Sequence, residues 1–135
     1  MSKEVAVLRL FNPETICKPF SRYSHGALVE GQVRWLHISG QVGARPDGTL
    51  EEGFEAQARL AWANLIAVLE AGGMARSDLV KVNVLLTRAG DVPASRKIRD
   101  EALQGAAPAS TLAVISALAH PDLLFEVEAV AARAA

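Results

Sequence analysis

The chain has 135 residues, 14 basic and 15 acidic side chains and a formal charge of −1, and half its residues are apolar. That is one domain's worth of chain, since a domain usually takes roughly 100–200 residues. The charge balance leaves no excess of cations for phosphate backbones, so nucleic acid is not expected as a partner. No apolar run reaches the ~20 residues of a membrane helix, so no membrane partner is expected either. Met1-Ser2-Lys3-Glu4 lacks the apolar segment of a secretory signal, and the expected location is the cytoplasm. Cys17 is the sole cysteine, which excludes an internal disulfide and a thiolate metal cluster. Only 5% of the residues are aromatic and alanine is the commonest residue. The core must therefore be built from small side chains that each bury little area, which favours added stability from self-assembly.

The elements follow in order. Val5–Leu10 reads as a short strand ending at the turn signal Asn12-Pro13, and residues 12–26 form a long polar loop of the kind that often carries function. Ala27–Glu30 and Val33–Ser39, separated by Gly31-Gln32, read as a β-hairpin. After the turn Arg45–Gly48, Phe54, Ala58, Ala61, Leu65 and Val68/Leu69 recur at helical spacing. This predicts a helix over Gly53–Ala71 with a Glu55–Arg59 pair on its outer side, stopped by Gly72-Gly73. Leu79–Thr87 alternates as a strand. Asp91 as cap, Pro93 in the first turn and Gly105 as stop frame a second helix with Ser95, Ile98 and Ala102 inward and Arg96, Arg99 and Asp100 elsewhere. Thr111–Leu118 and Leu123–Val130 are two last strands around the turn Ala119–Asp122.

The order βββαβαββ predicts an α+β fold with both helices on one face of a sheet. In the last strand Phe125, Val127, Ala129 and Ala131 point one way and Glu126, Glu128 and Val130 the other. Two helices cover one face only, so another copy is expected to cover the second, and a homo-oligomer follows.

Familiar catalytic signatures are missing: there is no phosphate loop, dinucleotide fingerprint, HExxH, CxxC or GxSxG. His25, His37 and His120 do not share a metal-ligand spacing, and ordinary hydrogen-bonded or solvated histidines account for them. Lys18 beside Cys17 favours a thiolate, but no acid–base partner is placed next to it. Glu126 and Glu128 share a strand face about 7 Å apart, which suits acid–base work and equally a solvated surface. Arg22–Gly26, Ser39-Gly40-Gln41 and Pro108–Thr111 each read, alone, as turn and strand-end chemistry.

Taken in order, Tyr23-Ser24-His25-Gly26, Ile38-Ser39-Gly40-Gln41-Val42, Ala71-Gly72-Gly73 leading to Leu79–Val84, Pro108-Ala109-Ser110-Thr111 and Glu126–Ala131 resemble the Rid family, also called YjgF-like or L-PSP endoribonuclease-like proteins. The resemblance runs from about residue 20 to the C-terminus. It implies a chorismate-mutase-like α+β fold and a homotrimer with a central barrel, helices outside and small-molecule clefts between subunits. It also implies hydrolysis of enamine or imine intermediates such as 2-aminoacrylate, with no metal and no organic cofactor. Glu126 matches the glutamate that holds the attacking water, and Tyr23 matches a cleft tyrosine. Ser39, Gly40, Ser110 and Thr111 complete the expected substrate contacts.

One position departs. Deaminating members carry an arginine after the Pro-Ala that matches Pro108-Ala109, and it clamps the substrate carboxylate through paired charged hydrogen bonds. Here Ser110 stands in its place, so a substrate without the usual carboxylate is expected, with a non-catalytic binding trimer as the alternative. Arg22 and Arg96 are the arginines considered as a replacement clamp. The ribonuclease activity in the family's name is disfavoured by the charge balance.

Overall fold

A computed structural model describes residues 7–135. Strands β1 (Leu8–Phe11), β2 (Gly26–Val29) and β3 (Val33–Gln41) precede helix α1 (Phe54–Ala71). Strand β4 (Leu79–Leu86), helix α2 (Val92–Leu103) and strands β5 (Ala109–Val114) and β6 (Phe125–Ala134) follow. The expected order of elements is present, and the Val5 end of the first expected strand lies outside the described residues. The main sheet runs β3-β6-β4-β5, with β5 parallel to β4 and the other pairs antiparallel. No helix among the described residues is long and apolar enough to cross a membrane.

The expected hairpin between residues 27 and 39 is not formed. Strand β2 pairs with β1, Leu8 opposite Val29, and β3 pairs with β6. Gly31 does turn the chain with a φ of 89°, but the turn hands it from one sheet to another. Pairing with distant strands has overridden the local signal, which is the usual limit of a two-residue turn motif. Strand β5 starts two residues before the expected Thr111 and stops at Val114, because its partner is β4 rather than the final strand.

Helix α1 buries Phe54, Ala58, Ala61, Leu65 and Leu69 as its 3.6-residue period requires, against Val82, Val84, Val127, Ala129 and Ala131 of the sheet. Alanine on both sides brings helix and sheet close. Phe54 and Phe125 meet edge to face at 5.9 Å and fill one end. Gly43 lies against the α1 backbone so closely that a Cβ there would stand 2.4 Å from the Gln57 Cα. Gln57 is buried, and its side-chain amide donates to the Glu51 and Asp122 carbonyls and accepts from the Leu124 N–H. It ties the start of α1 to the approach to β6.

Several local expectations change partner. Of the two glycines after α1 only Gly73, at φ 75°, takes the left-handed conformation. Arg59 pairs across to Glu101 of α2 rather than along its own helix to Glu55, and this hydrogen bond holds the Glu101 carboxyl below its ordinary pKa. Asp91 stands at the N-cap of α2 as expected, but its carboxylate accepts from Arg88 and makes no cap hydrogen bond, and Gln104 rather than Gly105 is the first left-handed residue at the end of the helix. Arg99, expected to point away from the core, is 5% exposed.

Because the Gly43 contact is backbone to backbone, neither side can yield by rotating a side chain. Gly43→Ala should cost about 2 kcal/mol or more, read as a lower urea midpoint. Gly90→Ala, with open space around it, should stay within about 0.5 kcal/mol of the parent protein.

Candidate functional site

The outer face of the sheet carries the polar chemistry. Register puts Glu126 beside Leu85 and Glu128 beside Asn83, and alternation turns these side chains away from the buried Phe125, Val127 and Ala129. Between the pairs Ile38–Ala129 and Gln41–Val127, Ser39 and Gly40 of β3 stand opposite the single residue Glu128. Two residues against one make a β-bulge, which bends the strand and re-aims what lies beside it. Here the bulge lays Gly40 under the Glu126 side chain: a Cβ on Gly40 would fall 2.6 Å from Glu126 Oε2. Gly40 shows no left-handed φ, so the glycine provides room for a carboxylate rather than a special backbone conformation. Ser39, Gly40 and Glu126 therefore form one cluster.

A second cluster lies past the opposite edge. Ser24 bridges Ala109 in parallel, its N–H donating to the Pro108 carbonyl and its hydroxyl to the Ala107 carbonyl at 2.6 Å. That pins Tyr23 and His25 beside the start of β5, where Ser110 and Thr111 follow. The two rings touch edge to face at 6.1 Å, and His25 Nδ1 is buried with no hydrogen-bond partner among the described residues. Tyr23 Oη accepts a long bond of 3.4 Å from the Phe20 N–H.

Ser110 and Thr111 point to different sides. Ser110 pairs with the buried Val82 and shares its face with Leu112, on the helix side. Thr111 stands on the outer face, where its hydroxyl accepts from Lys81 Nζ at 2.7 Å. Lys81 was not among the residues expected to matter; its side of β4 could be read from the strand alternation, but not its pairing with Thr111. Within one chain Glu126 is two strand spacings from β5, about 10 Å, so the chain does not bring Glu126 and Ser110 into contact.

Other candidates stay apart. Cys17 is exposed, and its thiol donates to the neighbouring Lys18 carbonyl at 3.3 Å. Arg22 and Arg96 are exposed. Among the described residues no three metal-ligating side chains converge. A cleft of about 680 Å³ opens between the ends of α1 and α2 and β1, lined by Leu10, Met74, Leu103 and Pro108 among others, and holds none of the expected site residues.

Two helices on one face of a mixed sheet, with a carboxylate seated on a bulge of the other face, define an α+β fold found among solved proteins. A protein of unknown function of the conserved Rid family from Yersinia pestis superposes with a TM-score of 0.81 at 30% identity, covering 93% of this chain and 98% of that one. The family model described as Endoribonuclease L-PSP matches residues 14–133, and the chain belongs to that family, the one named Rid in the Yersinia structure. A 2-iminobutanoate/2-iminopropanoate deaminase of Dermatophagoides farinae is 32% identical over 109 residues, 78% of this chain and 83% of that protein. A RutC family protein of Aquifex aeolicus is 40% identical over 70 residues, 51% of this chain and 54% of that protein. The chain thus spans about half the length of the curated relatives it matches at 40% identity or above.

A methyl group at Gly40 would meet the free end of a flexible side chain, not backbone. Gly40→Ala should keep its stability within about 1 kcal/mol while its crystal structure shows the Glu126 carboxylate displaced. A large fall in the urea midpoint would show that the strand yields instead.

Proposed function

We propose that this protein hydrolyses a small imine, or an enamine through its imine tautomer, in a cleft completed between copies of the chain. The Glu126 carboxylate held over the Gly40 bulge is the observation that carries the reading. A carboxylate lying on this sheet face can accept a proton from a water molecule as that water attacks the imine carbon. The C–N bond then breaks after proton transfer to nitrogen, and imine plus water becomes a carbonyl compound plus ammonia. Tyr23 lines the cleft, Gly40 gives the Glu126 carboxylate its room, and Thr111 offers a neutral hydrogen bond. The deaminase name of the Dermatophagoides relative supports this reaction type.

Assembly follows from the split clusters. Ser39, Gly40 and Glu126 belong to the β3 side of the sheet and Tyr23, Ser110 and Thr111 to the β5 side. Copies joined head to tail in a closed ring bring one edge against the other and cover the outer face, where Trp35 is 53% exposed. A homotrimer is the ring proposed. Ser110 brings no charge to the position of the carboxylate clamp, so the substrate proposed is a neutral imine rather than 2-iminopropanoate. No cofactor or metal enters the scheme.

A second reading, a trimer that binds a small molecule without turnover, is favoured by the same uncharged Ser110. Ammonia release from a panel of freshly generated imines decides between them. Hydrolysis should be faster on neutral imines than on 2-iminopropanoate, and Glu126→Gln should reduce it at least ~100-fold, the usual scale for a lost acid–base group. Melting shifts without ammonia would support the binder. Equal or faster turnover of 2-iminopropanoate would show that Ser110 does not set the substrate.

The shared cleft has its own test. Sedimentation should give three times the 14.3 kDa of one chain. Mixed trimers of Glu126→Gln and Tyr23→Ala subunits should recover activity that neither variant shows alone, because some clefts then carry both native residues. A monomer, or no recovery on mixing, would refute a cleft shared between copies.

A further inference from the structure

The arginine that meets the tyrosine segment is Arg99. It sits four residues after Ser95 on α2, so the helix turns it to the buried side, and only 5% of it is exposed. A buried guanidinium is costly unless its N–H groups are satisfied. Its Nε and Nη2 both donate to Asp100 Oδ1, at 3.1 and 3.0 Å, although neighbouring residues on a helix do not normally face one another. Its Nη1 reaches out of the helix to Ser21 Oγ at 3.4 Å. Ser21 is in turn the residue whose carbonyl accepts the Tyr23 N–H at 3.0 Å. The tyrosine segment thus has three anchors: Ser24 on the Ala107 and Pro108 carbonyls, the His25 N–H donating to Asn12 Oδ1 at 2.8 Å, and, on the other side of Tyr23, Ser21 on Arg99.

We propose that Arg99 is a positioning residue for Tyr23, a buried cation on α2 that holds the Ser21 end of the loop so that the phenol stays at the cleft. Its consequence for turnover rests on the cleft reading above; the positioning itself does not. Arg99 does not touch the substrate in this scheme. Lysine replaces it only in part, because an ammonium keeps the charge but lacks the planar fork that serves Asp100 and Ser21 together.

Tyr23 is the sole tyrosine of the chain, so protein labelled with 3-fluorotyrosine gives a single fluorine resonance. Wild type, Arg99→Leu, Arg99→Lys, Ser21→Ala and the exposed control Arg96→Leu should be compared by that resonance and by far-ultraviolet circular dichroism. Arg99→Leu and Ser21→Ala should move the line most of the way to its position in urea-unfolded protein while the helical signal persists. Arg99→Lys should move it less, and Arg96→Leu should leave it in place. Should Arg99→Leu fail to fold, Ser21→Ala decides, since it removes only the loop side of the contact. An unmoved line in folded Ser21→Ala, or an equal shift in Arg96→Leu, would overturn the proposal. The resonance needs no substrate, so absence of hydrolysis and absence of a fluorine shift are separate results.

Discussion

The close approach of α1 to the sheet is the contact on which the rest of the molecule depends. Ala58 and Ala61 on the helix share one buried core with Ala129 and Ala131 on β6, and Gly43 meets the helix backbone at Gln57. Side chains this small gain little by burial one at a time, so the layer holds by dense packing over its whole length. Density of that kind has a geometric consequence. It seats both helices on one face, with Ile98 and Leu103 of α2 entering the same core, and among the described residues no helix covers the other face of the sheet.

That bare face is where chemistry can be placed. Strand alternation sends Glu126, Glu128, Lys81 and Thr111 there, and the bulge at Ser39–Gly40 then singles out Glu126 by making space beneath it. The two candidate clusters occupy different sides of the sheet. Covering the face and completing the cleft are achieved by the same contact between copies in the ring proposed above.

Ser110 and Arg99 set the polar character of the β5 side of the molecule. Ser110, where the resemblance leads one to expect a guanidinium, is a small hydroxyl on the helix side of β5, and the guanidinium of Arg99 is buried on α2 against the tyrosine loop. In the function proposed above, the uncharged Ser110 sets what the cleft can hold. Arg99 sits where it bears on how firmly the tyrosine is held, since the other anchors of the loop, Ser24 and the His25 N–H on Asn12, both lie on the C-terminal side of Tyr23.

Much of this was legible in the residues. The period of Phe54–Leu69 specified α1, the alternation of Phe125–Ala131 specified which side of β6 is buried, and five short motifs in register specified the family. These are local properties, decided by dihedral preference and by which side chains avoid water. Partner choice was not legible. Strand β2 leaves its neighbour β3 for β1, Arg59 leaves Glu55 for Glu101, and Arg99 turns inward to Ser21, each because a distant group offers burial or a hydrogen bond that the local pattern does not contain. The sequence by itself determined the elements, their faces and the family. Only the tertiary structure decided that Gly40 lies under Glu126 and that Ser110 and Glu126 stand on opposite faces, because a bulge and a strand register are set by pairing across the sheet and not along the chain.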